Sequence, residues 1–244
     1  MAERAEPTYG TPNWEMITRW FAMPPEQDTA FWAVNLMKYK ARAEYRDGRE
    51  SELTGKEADE VYVPYGPLEA IGAVVAFGGD VVDQRGGEPR WDRIGIVRYP
   101  SRAAFFAMQE RDDFKAQHDH KEAGMDFTIV MSCLPVPGAP VAPIPADGDV
   151  VLRVRRFGAA GPPVDEPADG VVPLARFDVE GVIVGDDRTW DEVRFDAATD
   201  QDALAALLDT SGAEEAFAIM VTPLPAANRL AESITSAAGE GGGS

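Results

Sequence analysis

The sequence predicts an α+β protein in which two consecutive units share one design, each with the element order βαββαβ. Short apolar segments rich in β-branched and aromatic residues alternate with helical patterns. Residues 135–148 carry five prolines in fourteen positions, which indicates an extended connection between two halves. Similar strings stand on both sides of it: Trp91-Asp92 and Trp190-Asp191, and MSCLP at 131–135 and MVTPLP at 220–225. Chance similarity is the alternative, since any hairpin, helix and strand in succession gives this spacing.

The first unit is expected to supply four strands and two helices. Its predicted strands are residues 31–39, 80–84, 91–99 and 126–134. A helix is predicted over residues 54–72, kinked or divided at Pro64, and Gly78-Gly79 is expected to close it. Ser101 is the expected N-cap of the second helix. This order is that of the ferredoxin-like split unit.

The second unit repeats the order in weaker form. Its predicted strands are residues 150–157, 172–184, 190–195 and 217–224. A helix is expected over residues 200–208, with Thr199 as N-cap and Asp202 as its capping-box partner. The first helix of this unit is predicted to be missing, because residues 158–170 are rich in glycine and proline.

These elements predict five segments. They are an N-terminal extension with a short helix (1–30), a first ferredoxin-like domain (31–135), a Pro-rich linker (136–148), a degenerate second ferredoxin-like domain (149–225) and a C-terminal tail (226–244). In the extension, Asn13 is the expected N-cap of a helix whose apolar face holds Trp14, Ile17, Trp20 and Phe21. This helix is expected to pack on the sheet, with a lid or a docking helix as the alternative. The first ten and the last nine residues are expected to be disordered.

Charge and cysteine content exclude several classes of function. The 244 residues include 23 Lys and Arg against 42 Asp and Glu, a formal net charge of −19, which opposes binding to nucleic acid or to anionic membranes. The single cysteine, Cys133, excludes an internal disulfide framework. No apolar run approaches the ~20 residues of a membrane span, and the N-terminus lacks a signal-peptide core. A cytoplasmic protein is therefore expected.

Part of the first unit resembles a known family. VNLMKYK from residue 34, the glycine pair before the second strand, WDRIGIVRYPSRAAFFAM from residue 91 and the glycine of KEAG at 121–124 are similar to the domain of unknown function 1330 family. The resemblance covers about residues 31–135. It implies the fold of the dimeric α+β barrels, in which two ferredoxin-like units pair their sheets and small-molecule pockets lie between sheet and helices.

The same resemblance bears on assembly and chemistry. Relatives of that fold include cofactor-free monooxygenases, isomerases, cyclases and haem-binding peroxidases, so it implies the fold better than the reaction. Two copies in one chain would complete the barrel internally. A monomeric pseudo-dimer is therefore expected, with further pairing into a homodimer left open.

His118 and His120 are the two histidines and the natural acid–base candidates near neutral pH. They are predicted in a polar segment between the second helix and the last strand, near the mouth of a sheet–helix cleft. We expect His118 to transfer a proton to or from substrate, oriented by Asp119 or Glu122, with a solvated loop as the alternative. A helical H-x-H pair splays its rings apart by about 200°, whereas on an extended segment both rings could face one ion. No metal is predicted, because no second ligand cluster supports one.

Six further side chains are expected to bind substrate around the same cleft. They are Asn35, Tyr39, Tyr65, Glu69, Trp91 and Arg98. Asn35 is the odd residue of an apolar strand and shares a face with Tyr39, the alternative being an Asn bonded to a neighbouring loop. Tyr65 and Glu69 are neighbours at i, i+4 on the predicted helix. Such tyrosines are also found as core residues with a solvated hydroxyl.

Two of these candidates lie on the predicted strand 91–99. Trp91 is expected to share a face with Arg93, while Arg98 is expected on the opposite face. A half-buried arginine requires a carboxylate, from either the protein or a substrate. An internal Asp or Glu partner for Arg98 is therefore the alternative to substrate binding.

These observations predict a small-molecule enzyme without an organic cofactor. The expected chemistry is proton transfer, as in an isomerase, cyclase or lyase, or cofactor-free oxygenation of a small carbonyl- or phenol-bearing metabolite. Motifs of nicotinamide, ATP and serine-hydrolase sites are absent from the sequence. The alternatives are a non-catalytic small-ligand-binding protein of the same fold, or a haem- or metal-binding member. Because residues 136–244 contain no His, Cys or Lys, the chemistry is expected to come from the first half.

Overall fold

Strands and helices alternate along the chain in a computed structural model, which describes residues 7–62, 64–146, 148–159, 161–162 and 168–240. In this part the strands are β1 (Thr11–Pro12), β2 (Phe31–Tyr39), β3 (Val74–Gly86), β4 (Arg93–Tyr99), β5 (Met125–Pro135), β6 (Asp149–Arg156), β7 (Val171–Gly185), β8 (Glu192–Ala198) and β9 (Glu215–Asn228). The helices are α1 (Trp14–Phe21), α2 (Gly55–Tyr62), α3 (Tyr65–Ala70), α4 (Arg102–Glu110), α5 (Asp112–Gly124), α6 (Gln201–Leu207) and α7 (Leu230–Glu240). The fold is therefore mixed α+β.

Eight of these strands close into an antiparallel barrel. Their hydrogen-bonded order is β7-β5-β2-β4-β3-β9-β6-β8, and β8 pairs back onto β7. The strand order within the first half is β5-β2-β4-β3, and within the second half it is β9-β6-β8-β7. The halves meet at two seams, β3 with β9 and β5 with β7.

The two Trp-Asp pairs occupy matching positions in the two halves. The Asp92 N–H donates to the Met37 carbonyl (2.8 Å), and the Asp92 carboxylate accepts the Tyr39 N–H (2.8 Å). In the second half, the Asp191 N–H donates to the carbonyl of Arg155 (2.9 Å), and its carboxylate accepts the N–H of Phe157 (2.7 Å). Asp92 and Asp191 thus make equivalent hydrogen bonds in the two halves, each to the backbone at the end of the first strand of its half.

The barrel interior is filled with large apolar side chains. Strand side chains alternate between the two faces of a sheet, so that Trp32, Val34 and Leu36 of β2 point inward with Ile94 and Ile96 of β4. The largest side chains of this core include Phe77, Phe177, Phe195 and Phe217. α7 packs Leu230 and Ile234 against the same core, and the Trp32 indole N–H donates to the Ser233 hydroxyl (2.9 Å). The interior of the barrel is therefore mainly apolar.

The outer face of the first half is covered by helices. Phe31 and Ala33 of β2 face outward and pack with Met108 of α4 and Phe114 of α5. α2 and α5 cross so closely that Gly55 and Gly124 touch through their backbones, and a Cβ on either would collide with a carbonyl oxygen of the other. This contact fixes α2 against α5 over the sheet.

In the first unit the sequence predicted the strands better than the helices. The helix expected over residues 54–72 is divided at Pro64 into α2 and α3, as predicted. Gly78-Gly79 does not close it, because both lie inside β3, where a Cβ on Gly78 would be only 3.2 Å from the Cβ of Ala227. These glycines let β9 approach β3 closely.

The histidine segment also differs from the prediction. His118 and His120 lie within α5 rather than in a loop. α5 buries only Phe114, Ala123 and Gly124, so its sequence carries little of the apolar periodicity by which helices are predicted.

Both ends of the chain are more ordered than predicted. Tyr9 is buried, its carbonyl accepts the Thr128 N–H (2.9 Å), and β1 pairs with β7. The segment predicted as a tail from residue 226 contains the end of β9 and then α7. Residues 1–6 and 241–244, also expected to be disordered, lie outside the described residues.

The second half has shifts of one to four residues from the prediction, the largest at the end of β9. α6 is capped by Asp200, which accepts the Ala203 N–H (2.8 Å), and not by Thr199, whose hydroxyl donates to the Gly170 carbonyl (3.0 Å). The linker lies alongside β7, since the Ala142 N–H donates to the Leu174 carbonyl (3.1 Å). The predicted loss of a helix at 158–170 falls partly outside the described residues.

Candidate functional site

α5 presents two ionisable side chains to the space between itself, α2 and the N-terminal segment. His118 and Lys121 are three residues apart on α5, which makes them neighbours on one face of the helix. Both are partly buried. With Tyr9, Tyr39, Asp59 and Tyr62 they form what we call the α2–α5 cluster.

Two tyrosines contact both side chains. The Tyr9 hydroxyl is hydrogen-bonded to Nε2 of His118 (3.3 Å), and the Tyr62 ring lies edge-on to the imidazole at 6.2 Å. Lys121 Nζ lies 5.5 Å from the centroid of the Tyr9 ring and 5.4 Å from that of Tyr62. These distances are within the range of cation–π attraction.

A buried carboxyl group lies on the α2 side of the cluster. Asp59 is 8% exposed, and its carboxyl accepts a hydrogen bond from the Tyr39 hydroxyl (2.6 Å). Burial raises the pKa of Asp59 above its usual range. Burial, together with the negative charge of Asp59, also raises the pKa of Tyr39. Burial lowers the pKa of Lys121, and the attraction of Asp59 offsets this only in part.

Arg93 ties α2 to the sheet beside this carboxyl group. Its guanidinium donates to Asp80 of β3 (2.8 Å) and to Glu60 of α2 (3.0 Å), while Lys56 donates to the other oxygen of Asp80 (2.8 Å). Burial alone would raise the pKa of Asp80, but the hydrogen bonds from Arg93 and Lys56 lower it overall. Asp80 is therefore a structural anion, whereas Asp59 is suited to exchange a proton.

Of the predicted site residues, Tyr39 and His118 belong to the cluster. Asn35 shares the outer face of β2 with Tyr39, but its amide donates to the carbonyls of Ala33 (3.0 Å) and Gly95 (3.3 Å). Asn35 is thus bonded to strand backbone and not to a neighbouring loop.

Trp91 and Arg98 lie on the other face of the sheet. Trp91 belongs to the barrel core, where its ring stacks on Phe127 at 5.8 Å. The expectation that it shares a face with Arg93 is wrong, because β4 begins only at Arg93 and strand alternation does not extend back to Trp91. Arg98 is 7% exposed and lies on the same side of β4 as Ile94 and Ile96. The sheet therefore separates both residues from His118.

Three predicted residues are exposed and lie outside the cluster. Asp119 is exposed on α5, and the partner of His118 Nε2 is Tyr9 rather than Asp119. Glu122, the alternative orienting residue, forms an ion pair with Arg46 (2.8 Å). Tyr65, which is 56% exposed, and Glu69 lie on the surface of α3.

His120 is separate from the cluster, with its Nδ1 hydrogen-bonded to the Tyr45 hydroxyl (2.7 Å).

Sequence reasoning missed Asp59, Lys121 and Tyr9 as site residues. Asp59 is one of four charged residues in the KEADE run of α2, and nothing in that string shows which carboxylate is buried. Tyr9 was assigned to a disordered end. Lys121 carried a usable signal, because it lies three residues after His118, but that signal appears only once the segment is recognised as a helix.

Metal-binding clusters and membrane-spanning helices are absent from the described residues. Among them, no group of three or more His, Cys, Asp and Glu side chains is arranged to hold a metal ion. In the same part of the chain, no helix has both the length and the apolar character to cross a membrane.

Comparisons with known proteins identify no family. No family model and no curated protein matches the chain. Among solved structures, a protein of unknown function from Rhodopseudomonas palustris is 24% identical, covering 52% of this chain and 97% of its own, with a TM-score of 0.46. A mutant chlorite dismutase from Candidatus Nitrospira defluvii in complex with cyanide is 10% identical, covering 85% and 96%, with a TM-score of 0.46. A candidate monooxygenase from Fusobacterium nucleatum subsp. nucleatum is 12% identical, covering 81% and 94%, with a TM-score of 0.44. The chemistry of this chain therefore has to be argued from its own residues.

Proposed function

We propose that the protein is an enzyme that transfers protons on a small carbonyl- or phenol-bearing metabolite, without an organic cofactor. The observation that carries this proposal is the α2–α5 cluster. It brings an imidazole, a carboxyl group, an amine and three phenols together between two helices and the sheet. Isomerisation, cyclisation and elimination all need such groups to remove a proton from one atom and return it to another.

His118 is the proposed acid–base residue. An imidazole titrates near neutral pH, and the Tyr9 hydroxyl fixes one of its ring nitrogens. Asp59 is the proposed second proton carrier, because its raised pKa keeps it protonated over a wider pH range than an exposed aspartate. Two groups with different environments and different proton affinities are the usual composition of an acid–base pair.

We infer that the chain arose by internal duplication, with each half a ferredoxin-like unit of a dimeric α+β barrel. Support comes from the identical strand order of the two halves and from the matching roles of Asp92 and Asp191. The resemblance of residues 31–135 to the domain of unknown function 1330 family is part of the same proposal. In it, one chain acts as a pseudo-dimer in which the first half supplies the chemistry and the second half supports it.

Proton exchange in D₂O tests the function without knowledge of the natural substrate. The protein is incubated with 4-hydroxyacetophenone, phenylacetaldehyde or cyclohexanone, and the loss of the α-C–H signals is followed by NMR. We expect faster exchange of at least one compound than in buffer. His118→Ala should reduce the protein-dependent rate by about 10²- to 10⁴-fold, the usual contribution of a general acid or base.

His120→Ala is the matched control, because His120 lies on the same helix but bonds to Tyr45 outside the cluster. It should leave the exchange rate unchanged. The proposal is wrong if no compound exchanges faster than in buffer, or if His118→Ala exchanges as fast as the unaltered protein.

A further inference from the structure

Lys121 differs from every other lysine of the chain. The sequence has five lysines, and four of them lie within 4.0 Å of a carboxylate oxygen. The four pairs are Lys38–Asp92, Lys40–Glu44, Lys56–Asp80 and Lys115–Glu110. Within the described ranges, Lys121 has no ion pair at that distance, and its ammonium group faces the rings of Tyr9 and Tyr62 instead.

The surroundings of Lys121 stabilise the neutral amine more than those of the other lysines. A carboxylate in direct contact favours the ammonium form, whereas burial away from water disfavours it. At Lys121 burial outweighs the attraction of Asp59 and lowers the pKa of the amine. Asp59 is the acidic group that acts on Lys121 from α2, and its own raised pKa reduces the negative charge that it offers. The positive charge of Arg93 also acts on the Asp59 carboxyl group.

We propose that Lys121 is a nucleophile that condenses with an aldehyde or ketone substrate to form an imine. This inference rests on the proposed function and narrows the substrate class from carbonyl or phenol compounds to carbonyl compounds. The amine nitrogen attacks the carbonyl carbon, and the carbonyl oxygen takes up a proton to give a carbinolamine. The nitrogen then loses a proton, the carbinolamine oxygen leaves as water after a second protonation, and a protonated C=N bond replaces C=O. Loss of the remaining proton from nitrogen gives the neutral imine.

His118, on the same face of α5 as Lys121, is a source of protons for these reaction steps. His118 precedes Lys121 by three residues, and the same two tyrosines contact both side chains. Its imidazole can protonate the departing oxygen and remove the proton from nitrogen. An imine also lowers the energy needed to remove a proton from the adjacent carbon, which links Lys121 to the proton transfer proposed for the cluster.

Reductive trapping tests the inference on the intact protein. Benzaldehyde is added at neutral pH with sodium cyanoborohydride, which reduces the imine to a stable secondary amine, and each lysine peptide is quantified by mass spectrometry. We expect Lys121 to be labelled fastest, by about tenfold for each unit by which burial lowers its pKa below the usual value for lysine. The four ion-paired lysines are controls within the same molecule.

Lys121→Met removes the amine and retains an unbranched apolar stem of similar volume, so it tests the site with little change in packing. It should remove the fast-labelled peptide and leave labelling of Lys115 unchanged. The inference is overturned if Lys121 is labelled no faster than the four paired lysines. If labelling of Lys121 is absent while D₂O exchange is intact, imine formation is rejected and proton transfer stands. Fast labelling without exchange rejects the proton-transfer function instead.

Discussion

Asp59 and Tyr39 share one hydrogen bond in a place where neither can be hydrated freely. A carboxylate removed from water is costly unless enough donors or positive charges face it. Tyr39 supplies one donor at 2.6 Å, and the charges of Lys121 and Arg93 favour ionisation, yet burial prevails and the pKa of Asp59 rises. The folded environment therefore favours the protonated form of this carboxyl group more than water does.

This environment predicts a pH dependence of stability that belongs to one residue. Because the pKa of Asp59 is higher in the folded than in the unfolded chain, the folded state holds the proton more tightly. Its stabilisation is fully present below the unfolded pKa of about 3.9 and is lost as the pH rises through the folded pKa. Asp59→Asn should match the unaltered protein near pH 4 and become the more stable of the two at higher pH. Urea unfolding of both proteins across this pH range measures the difference.

Asp119→Asn is the control for this series, because Asp119 is exposed on α5. Its difference in free energy of unfolding from the unaltered protein should stay nearly constant with pH. A constant difference for Asp59→Asn as well would contradict the burial argument.

The crossing of α2 and α5 decides how far Asp59 lies from His118 and Lys121. Gly124→Ala would place a methyl group against the Gly55 carbonyl oxygen and 3.1 Å from the Cβ of Ala58. Because these neighbours are backbone and a small buried side chain, the helices would have to separate. We expect a loss of about 1–3 kcal/mol in the free energy of unfolding, and slower trapping at Lys121. Thermal unfolding and the labelling assay measure the two effects.

Gly66→Ala is the matched control at the level of elements. Gly66 lies in α3, and a Cβ there would meet nothing within 4 Å. Since alanine is the better helix former, the free energy of unfolding should stay the same or rise. A larger loss for Gly66→Ala than for Gly124→Ala would contradict the role assigned to the crossing.

The elements also show which features a sequence can predict. β2, β4 and β6 were predicted closely, because short runs of apolar, β-branched and aromatic residues identify strands. α5 was not predicted, because its contacts with the sheet involve few residues and its exposed face is uniformly polar. The site residues likewise divide into one that the sequence could predict and two that it could not. Tyr39 could be predicted from strand alternation, whereas Asp59 and Lys121 become neighbours only through the packing of α2 on α5.

At the scale of the whole molecule, neither half can bury its inner face alone. Each half contributes four strands, and both seams between the halves are strand pairings. Phe77 from the first half packs edge-on against Phe195 from the second, at 5.1 Å. Glu180 of the second half also contacts the first half, because its carboxylate accepts hydrogen bonds from Trp20 (2.9 Å) and from Arg102 (2.7 Å).

This arrangement predicts the behaviour of the first half on its own. A fragment of residues 1–140 would expose the inner face of its sheet and the unpaired edges of β3 and β5. We expect it to associate into dimers that complete a barrel, whereas the full chain unfolds in one cooperative transition. Light scattering coupled to size exclusion measures the mass of each. A folded fragment that stays monomeric at micromolar concentration would contradict this prediction.

The closed ring of strands also separates positions where substitutions are constrained from positions where they are tolerated. Substitutions inside the barrel are constrained by close packing on every side. The α2–α5 cluster takes one residue, Tyr39, from a strand and the others from two helices and an N-terminal segment on the outer surface. The residues on these covering elements can be replaced without disturbing the interior. A barrel of this kind could therefore acquire a new reaction by changes in its covering helices while its strands retain the same stability.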